Sequence, residues 1–207
     1  MPQKSPAIFI ADSAGLNFLN SIATPVDTEI DWIGDGEGLL AWLEQAQLVP
    51  ADVLDAMRRQ AKPGEIDRVA AQARTLREWF RAFVREHRGR SMKAMEHADL
   101  EPLNRLLSRD EGFGQLVAHK RGKIAALEFQ RARRWRSPES LLLPIAEALA
   151  RFLAEEDLSD VKTCEGVTCT LMFADRTRGR SRRWCSMSIC GNRAKQLAHR
   201  HRSKQSR

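Results

Sequence analysis

The chain has 207 residues, 43% apolar and 29% charged, with a formal net charge of +7. That balance belongs to folded domains and excludes an intrinsically disordered chain, and no apolar run approaches the roughly 20 residues that span a bilayer. Residues 1–24 carry a single lysine and are interrupted by Asp12, Asn17 and Asn20, without the unbroken apolar core of a secretory signal, so a cytoplasmic location is expected.

In chain order, residues 7–24 read as an apolar strand or hairpin entering a short helix, with Asn17 and Asn20 near its turn. Leu39, Trp42, Leu43 and Ala46 recur at helical spacing within 38–48, and Pro50 ends that helix. Another helix is expected over 51–61, closed by Pro63-Gly64. The clearest periodicity runs from Glu65 to His87, where Ile66, Val69, Ala73, Leu76, Phe80, Phe83 and Val84 form one apolar stripe opposite Arg and Glu. The same stripe is a candidate surface for a homodimer. A short helix follows over 100–107.

Within 115–131 the period changes: Leu116 and Ala118, then Ala125, Leu127 and Phe129, alternate with polar neighbours around a turn at Gly122, predicting a β-hairpin. Ser137-Pro138 reads as an N-cap with proline in the first turn. The helix it opens carries Leu142, Ile145, Leu149, Phe152 and Leu153 on one face, until Glu155-Glu156-Asp157 ends it and a linker begins. Residues 1–158 are therefore expected to be one mainly α domain with a small β element, an α+β arrangement. Residues 161–207 are expected to be a small metal-binding module ending in a helix.

Charge follows the same division. Residues 161–207 hold 12 Lys/Arg against Glu165 and Asp175, a net +10, which leaves −3 on the remainder. Such asymmetry points to a polyanionic partner. All four cysteines lie in the basic part as Cys164-x4-Cys169, fifteen residues, then Cys185-x4-Cys190. Two close pairs facing each other across a loop suit a tetrahedral site, and thiolates favour zinc, with iron the second candidate. Two disulfides or four free thiols are the alternatives; a cytoplasmic setting and the symmetric pairing favour a metal. A segment this short needs such a fastener to fold. Four thiolates leave no open coordination position, which makes the ion structural, one per chain.

Around the ligands run Arg176, Arg178, Arg180, Arg182 and Arg183, then Arg193, Lys195, Arg200, Arg202, Lys204 and Arg207. After Cys190 a helix is expected with Ala194, Leu197, Ala198 and His201 inward and Arg193, Gln196, Arg200 and Lys204 on another face. That face suits a DNA groove or a phosphate backbone, and the loop 176–183 suits phosphate oxygens. Some of these arginines serve instead to neutralise the metal centre, which with four thiolates carries −2. A second cluster, Lys120, Arg121, Lys123, Arg131, Arg133, Arg134 and Arg136, either extends a binding face or solvates the hairpin, the second being the favoured reading.

The string Cys185-Ser186-Met187-Ser188-Ile189-Cys190-Gly191-Asn192-Arg193, preceded by Arg182-Arg183-Trp184, resembles the hallmark of the CGNR zinc finger family. Cys164-x4-Cys169 followed by Phe173-Ala174-Asp175 is similar to that family's first ligand pair. Leu16-Asn17-Phe18-Leu19-Asn20-Ser21 resembles the opening motif of its companion ABATE domain, and Trp42-Leu43 matches a later feature. Family members often carry aspartate in place of Asn17 and threonine in place of Ser21. The resemblance implies a bacterial, stress-linked transcription regulator in which the zinc module binds DNA and the N-terminal domain senses a ligand. Asn17, Asn20 and Trp42 are the candidate lining of that ligand site; the competing reading is a pair of turn asparagines and a core tryptophan.

Three functions follow as expectations. The first is a DNA-binding regulator using Arg176, Arg178, Arg180, Arg182, Arg183, Arg193, Lys195 and Arg200; six neutralised phosphates would give a salt slope of about −5. The second adds control by a small-molecule effector on the N-terminal domain. The third is an RNA-binding or protein-interaction adaptor. An enzyme is not expected, because no Ser/His/Asp arrangement, phosphate loop or carboxylate-rich metal motif stands out.

Overall fold

The computed structural model describes residues 5–88, 97–121 and 124–205. Its first helix, α1 (Ala14–Leu19), is too short to persist alone and is held by burial of Leu16, Phe18 and Leu19. Gly15 lets it approach helix α6 (Leu142–Glu155) closely: a Cβ at Gly15 would lie 2.7 Å from the Cβ of Phe152. The strand or hairpin expected before this helix lies after it instead. Strands β1 (Ile22–Ala23) and β2 (Ile30–Asp31) pair antiparallel, two residues each, and pairs so short leave no alternation to read.

Helix α2 (Gly36–Gln45) starts where Asp35 Oδ1 accepts from the Gly38 N–H at 2.7 Å, an N-cap. Helix α3 (Ala51–Gln60) follows Pro50, and α4 (Glu65–His87) is the central element. Val69, Ala73, Phe80, Phe83 and Val84 of α4 are buried, with Phe80 edge-on to Phe152 of α6 at 5.8 Å. Most of the stripe that the sequence offers for a homodimer is thus consumed by the chain's own core, with Ile66 and Leu76 only partly buried. Trp42 on α2 is 1% exposed, packed between Phe18 and Phe9.

One buried charge on α4 escaped the periodicity. Arg77 points inward, makes two 2.9 Å bonds to the carboxylate of Asp31 and donates to Ser21 Oγ at 3.1 Å. Burial alone would lower its pKa; the bonds to Asp31 and Glu78 outweigh it and raise it. Beyond α5 (Glu101–Leu107), β3 (Gly112–Arg121) and β4 (Ile124–Arg133) form the expected hairpin, longer at both ends. Its turn at Gly122, with Lys123, lies outside the described residues. Leu116 opposes Phe129 and Ala118 opposes Leu127, yet Leu116, Leu127 and Phe129 are exposed: the alternation is that of a half-buried strand, but nothing among the described residues covers this face.

Ser137 and Pro138 open a 3-10 turn (Pro138–Leu141) that feeds α6. The segment after α6 is another 3-10 turn (Leu158–Asp160) with Leu158 fully buried, not an exposed linker. Strands β5 (Val161–Thr163) and β6 (Met172–Ala174) pair antiparallel, and a π-type turn (Met187–Gly191) leads into α7 (Asn192–Gln205). Val161, Leu171, Met172 and Phe173 join the same buried cluster as Leu16, Phe80 and Leu149, so one core runs from the helices into the cysteine-bearing segment, with the β3–β4 hairpin outside it.

Candidate metal centre and basic surface

Cys164 directly follows β5 and its N–H donates to Leu171 O (2.9 Å), while the Cys169 N–H donates to Gly166 O (3.1 Å), closing a tight knuckle. The second pair is set by Ser186, whose carbonyl accepts from both Cys190 N (3.0 Å) and Gly191 N (3.1 Å). All four Sγ atoms lie within 4.8 Å of one another and all four cysteines are buried. Cys169 and Cys185 are 3.9 Å apart at sulfur, Cys185 and Cys190 3.6 Å. Disulfide sulfurs sit at about 2.05 Å. Four thiolates on one zinc at about 2.3 Å sit roughly 3.8 Å apart. The donor set therefore fits zinc and not a pair of disulfides.

Hydrogen bonds to the sulfurs agree. Cys164 Sγ accepts from Gly166 N (3.4 Å) and Cys185 N (3.2 Å), and Cys190 Sγ accepts from Arg193 Nη2 (3.1 Å). Donors aimed at sulfur suit thiolates. Among metal-free thiols the charge is shared unequally. The bond from Cys185 pulls Cys169 down to about 5; that bond and burial push the Cys185 thiol up, and burial pushes up Cys190. Four adjacent thiolates need a dication to hold them.

Two family matches agree with this geometry. The family described as "putative stress-induced transcription regulator", ABATE, matches residues 12–156, and the CGNR zinc finger matches residues 161–203. The chain belongs to the ABATE family and carries a CGNR zinc finger. Among curated proteins, none matches it. One structural zinc per chain is held by Cys164, Cys169, Cys185 and Cys190.

The finger's own motif becomes physical here. Cys190 is a ligand. Gly191 leaves room for Met187, whose Sδ would stand 2.5 Å from a Cβ at that position. Asn192 opens α7, exposed. Arg193 reaches back to Cys190 Sγ, to Ile189 O (2.8 Å) and across to Pro25 O (2.6 Å).

Most of the cations nominated for nucleic acid are engaged within the chain. Arg176 pairs with Glu156 and Arg180 with Asp160. Arg183 pairs with Glu165 at 2.6 Å and lies over Trp184. Arg182 donates to Trp184 O (3.1 Å), Cys185 O (2.5 Å) and Ile10 O (3.4 Å), with its guanidinium 4.2 Å from the Phe173 ring. Arg178, Lys195 and Arg200 have no hydrogen-bond or ion-pair partner among the described residues, and all three are exposed. Arg207 lies outside the described residues, as do the side chains of Ala198, His201, Arg202 and Lys204. In the second cluster Arg133 pairs with Asp110 and Glu147, and Arg136 with Glu111.

The finger is also bonded to the ABATE part. Asn20 Nδ2 donates to Met172 O (2.8 Å) and Asn20 Oδ1 accepts from Met172 N (2.9 Å). The Thr24 N–H donates to Thr170 Oγ1 (2.8 Å), and Thr168 Oγ1 donates to Val26 O. Asn17 Oδ1 accepts from the Ala11 N–H (3.1 Å). The three residues nominated for a ligand are thus placed on helix α1 with the side chain turned back to Ala11, at the interface with the finger and in the core, and none of them lines the cavity of about 710 Å³ between α4, α5 and the start of α6.

Sequence reasoning missed Asp175, the organiser of the arginine loop. Its carboxylate, 0% exposed, accepts from Lys162 Nζ (2.7 Å), Arg182 N (2.9 Å), Thr177 N (3.1 Å) and Thr177 Oγ1 (2.6 Å). Burial alone would raise its pKa; these donors outweigh it and hold the carboxyl well below the usual range. The signal available was its rarity, one of only two acids in 161–207.

Proposed function

We propose that this chain is a cytoplasmic, stress-responsive DNA-binding regulator of transcription without enzymatic activity. The ABATE part (1–158) receives a signal, and the CGNR finger (161–207) presents α7 to DNA. The observation that carries this reading is the exposed arc of α7. Asn192, Lys195, Gln196 and Arg200 fall within about 140° of one another at 100° per residue, on a helix held at its start by the metal. Asn, Gln and Arg are the side chains that read base edges in a major groove, and Lys195 with Arg178 suits phosphates. Arg193, with its three internal bonds, acts in holding the helix.

This narrows the DNA contacts to Arg178, Lys195, Arg200 and the arc between them. Binding of the zinc-loaded chain to duplex DNA, followed by anisotropy across a salt series, is expected to show a slope of about −3 for three phosphates. The variant R178A/K195A/R200A is expected to keep its zinc and to bind at least about tenfold more weakly, with a shallower slope. No duplex binding at low salt would overturn the regulator reading, and preferential binding of single-stranded RNA would favour the adaptor reading. Among the described residues no helix is long and apolar enough to cross a membrane.

A further inference from the structure

A cavity of about 710 Å³ opens between α4, α5, the base of the β3–β4 hairpin and the start of α6; no finger residue lines it. Its walls are apolar: Leu76 and Trp79 from α4, Leu106 from α5, Leu142 and Leu143 from α6. The size lies within the roughly 300–1,000 Å³ of small-molecule sites, which combine such walls with a few convergent polar groups. Trp79 is half-buried, its ring 5.7 Å from Phe83 and 6.1 Å from Phe80, and faces the cavity.

The charges at the rim do not cancel. Arg109, Arg134 and Arg136 stand there with Glu111 and Glu139, a net +1. Glu111 is already occupied, accepting from Arg136 at 2.6 and 2.8 Å with Arg134 at 4.0 Å. Arg109 is exposed and has no ion-pair partner among the described residues. A guanidinium left over at the mouth of an apolar cavity matches a carboxylate attached to a hydrocarbon body, which it can take with two parallel hydrogen bonds.

We propose that this cavity binds a small amphipathic monocarboxylate, aromatic or medium-chain aliphatic, with its apolar body on Trp79 and the leucines and its carboxylate on Arg109. For its role the proposal rests on the effector-controlled regulator reading, to which it gives a place and a chemistry. Both long helices of the wall also lead to the finger. Glu156, just past α6, pairs with Arg176, and Arg88, just past α4, donates to Thr163 Oγ1 at 3.3 Å.

The test uses the full, zinc-loaded chain with 4-phenylbutyrate and octanoate as probes and their neutral amides as controls, by calorimetry and tryptophan fluorescence, without DNA. Saturable binding of the acids is expected, with the amides about tenfold weaker or more. Arg109→Gln is expected to bring the acids down to the level of the amides. Trp79→Phe is expected to remove the fluorescence change while calorimetric binding persists. Absence of saturable binding up to about 5 mM of either acid, equal binding of acid and amide, or binding indifferent to both substitutions would each overturn the proposal. Duplex DNA binding measured on the same preparation separates the two readings. Acid binding without DNA binding removes the regulator and leaves the site, whereas DNA binding without acid binding removes the site alone.

Discussion

The side-chain amide of Asn20 pairs with both main-chain polar groups of Met172, giving one hydrogen bond to its carbonyl and taking one from its N–H. An amide that does both stands in for a neighbouring strand. It satisfies β6 on the edge where no further strand pairs among the described residues, and joins the C-terminal end of α1 to the finger, 152 residues away. Asn20→Ala leaves two buried main-chain groups without partners. The expected loss of stability is about 2–4 kcal/mol, read from denaturant unfolding. Asn20→Asp keeps the acceptor and loses the donor, so it should be nearly as damaging; a wild-type midpoint in either variant would remove the argument.

Arg193 makes a second joint. Its guanidinium bonds a zinc-ligand sulfur and a carbonyl of the ABATE part at once. Partners behind a metal ligand contribute about 10–100-fold in metal affinity. Arg193→Ala is therefore expected to release zinc to a chromogenic chelator faster by about that factor. Arg193→Lys, which keeps the charge but lacks the planar fork, should recover only part. If Arg193→Ala loses DNA binding with zinc release unchanged, this residue is a contact and not a positioning residue.

Zinc uptake should be visible as acid. In the metal-free finger Cys185 and Cys190 are held protonated while Cys169 is pulled down to about 5. Loading zinc at neutral pH must expel the protons that remain, roughly two or three per chain, and affinity must weaken as pH falls. Stopped-flow mixing in a weakly buffered indicator dye measures this directly. Cys185→Ser should reduce both the proton yield and the retention of zinc.

Asp175 gives the finger a predictable acid limb. Its folded pKa is depressed, so its stabilising contribution is complete above the ordinary carboxylate value of about 3.9. As pH falls below that value towards the depressed one, the contribution is lost. Asp175→Asn should therefore be less stable than wild type at neutral pH, and the gap between them should narrow below about pH 4. Parallel unfolding curves from pH 7 to 3 decide the point; a constant gap would mean that the charge of Asp175 is not what matters.

The sequence reveals what local pattern can encode. Repetition every three or four residues marks α4, alternation marks the β3–β4 hairpin, and paired cysteines mark the metal site. It conceals what depends on distant partners. Whether Arg193 faces DNA or its own chain is decided by Pro25, 168 positions away. Whether Asn20 lines a pocket or closes a sheet edge is decided by Met172. Arg77 sits among alternating Arg and Glu and looks solvated, until Ser21 and Asp31 meet it inside the fold. The cavity beside Trp79 is assembled from four separate segments, none of which advertises it.

The pairings of Arg176 with Glu156, Arg180 with Asp160, Arg182 with Ile10 O and Arg193 with Pro25 O all cross from the finger to residues before 161. Excising residues 161–207 would strip four guanidiniums of those partners in one cut. Such a fragment, if metal held it together, would be a stickier and less discriminating polycation than the whole protein, because charge neutralisation governs nonspecific attachment to nucleic acid. The acidic excess of residues 1–160 is in this sense a built-in competitor, leaving exposed only those cations that the rest of the chain does not claim.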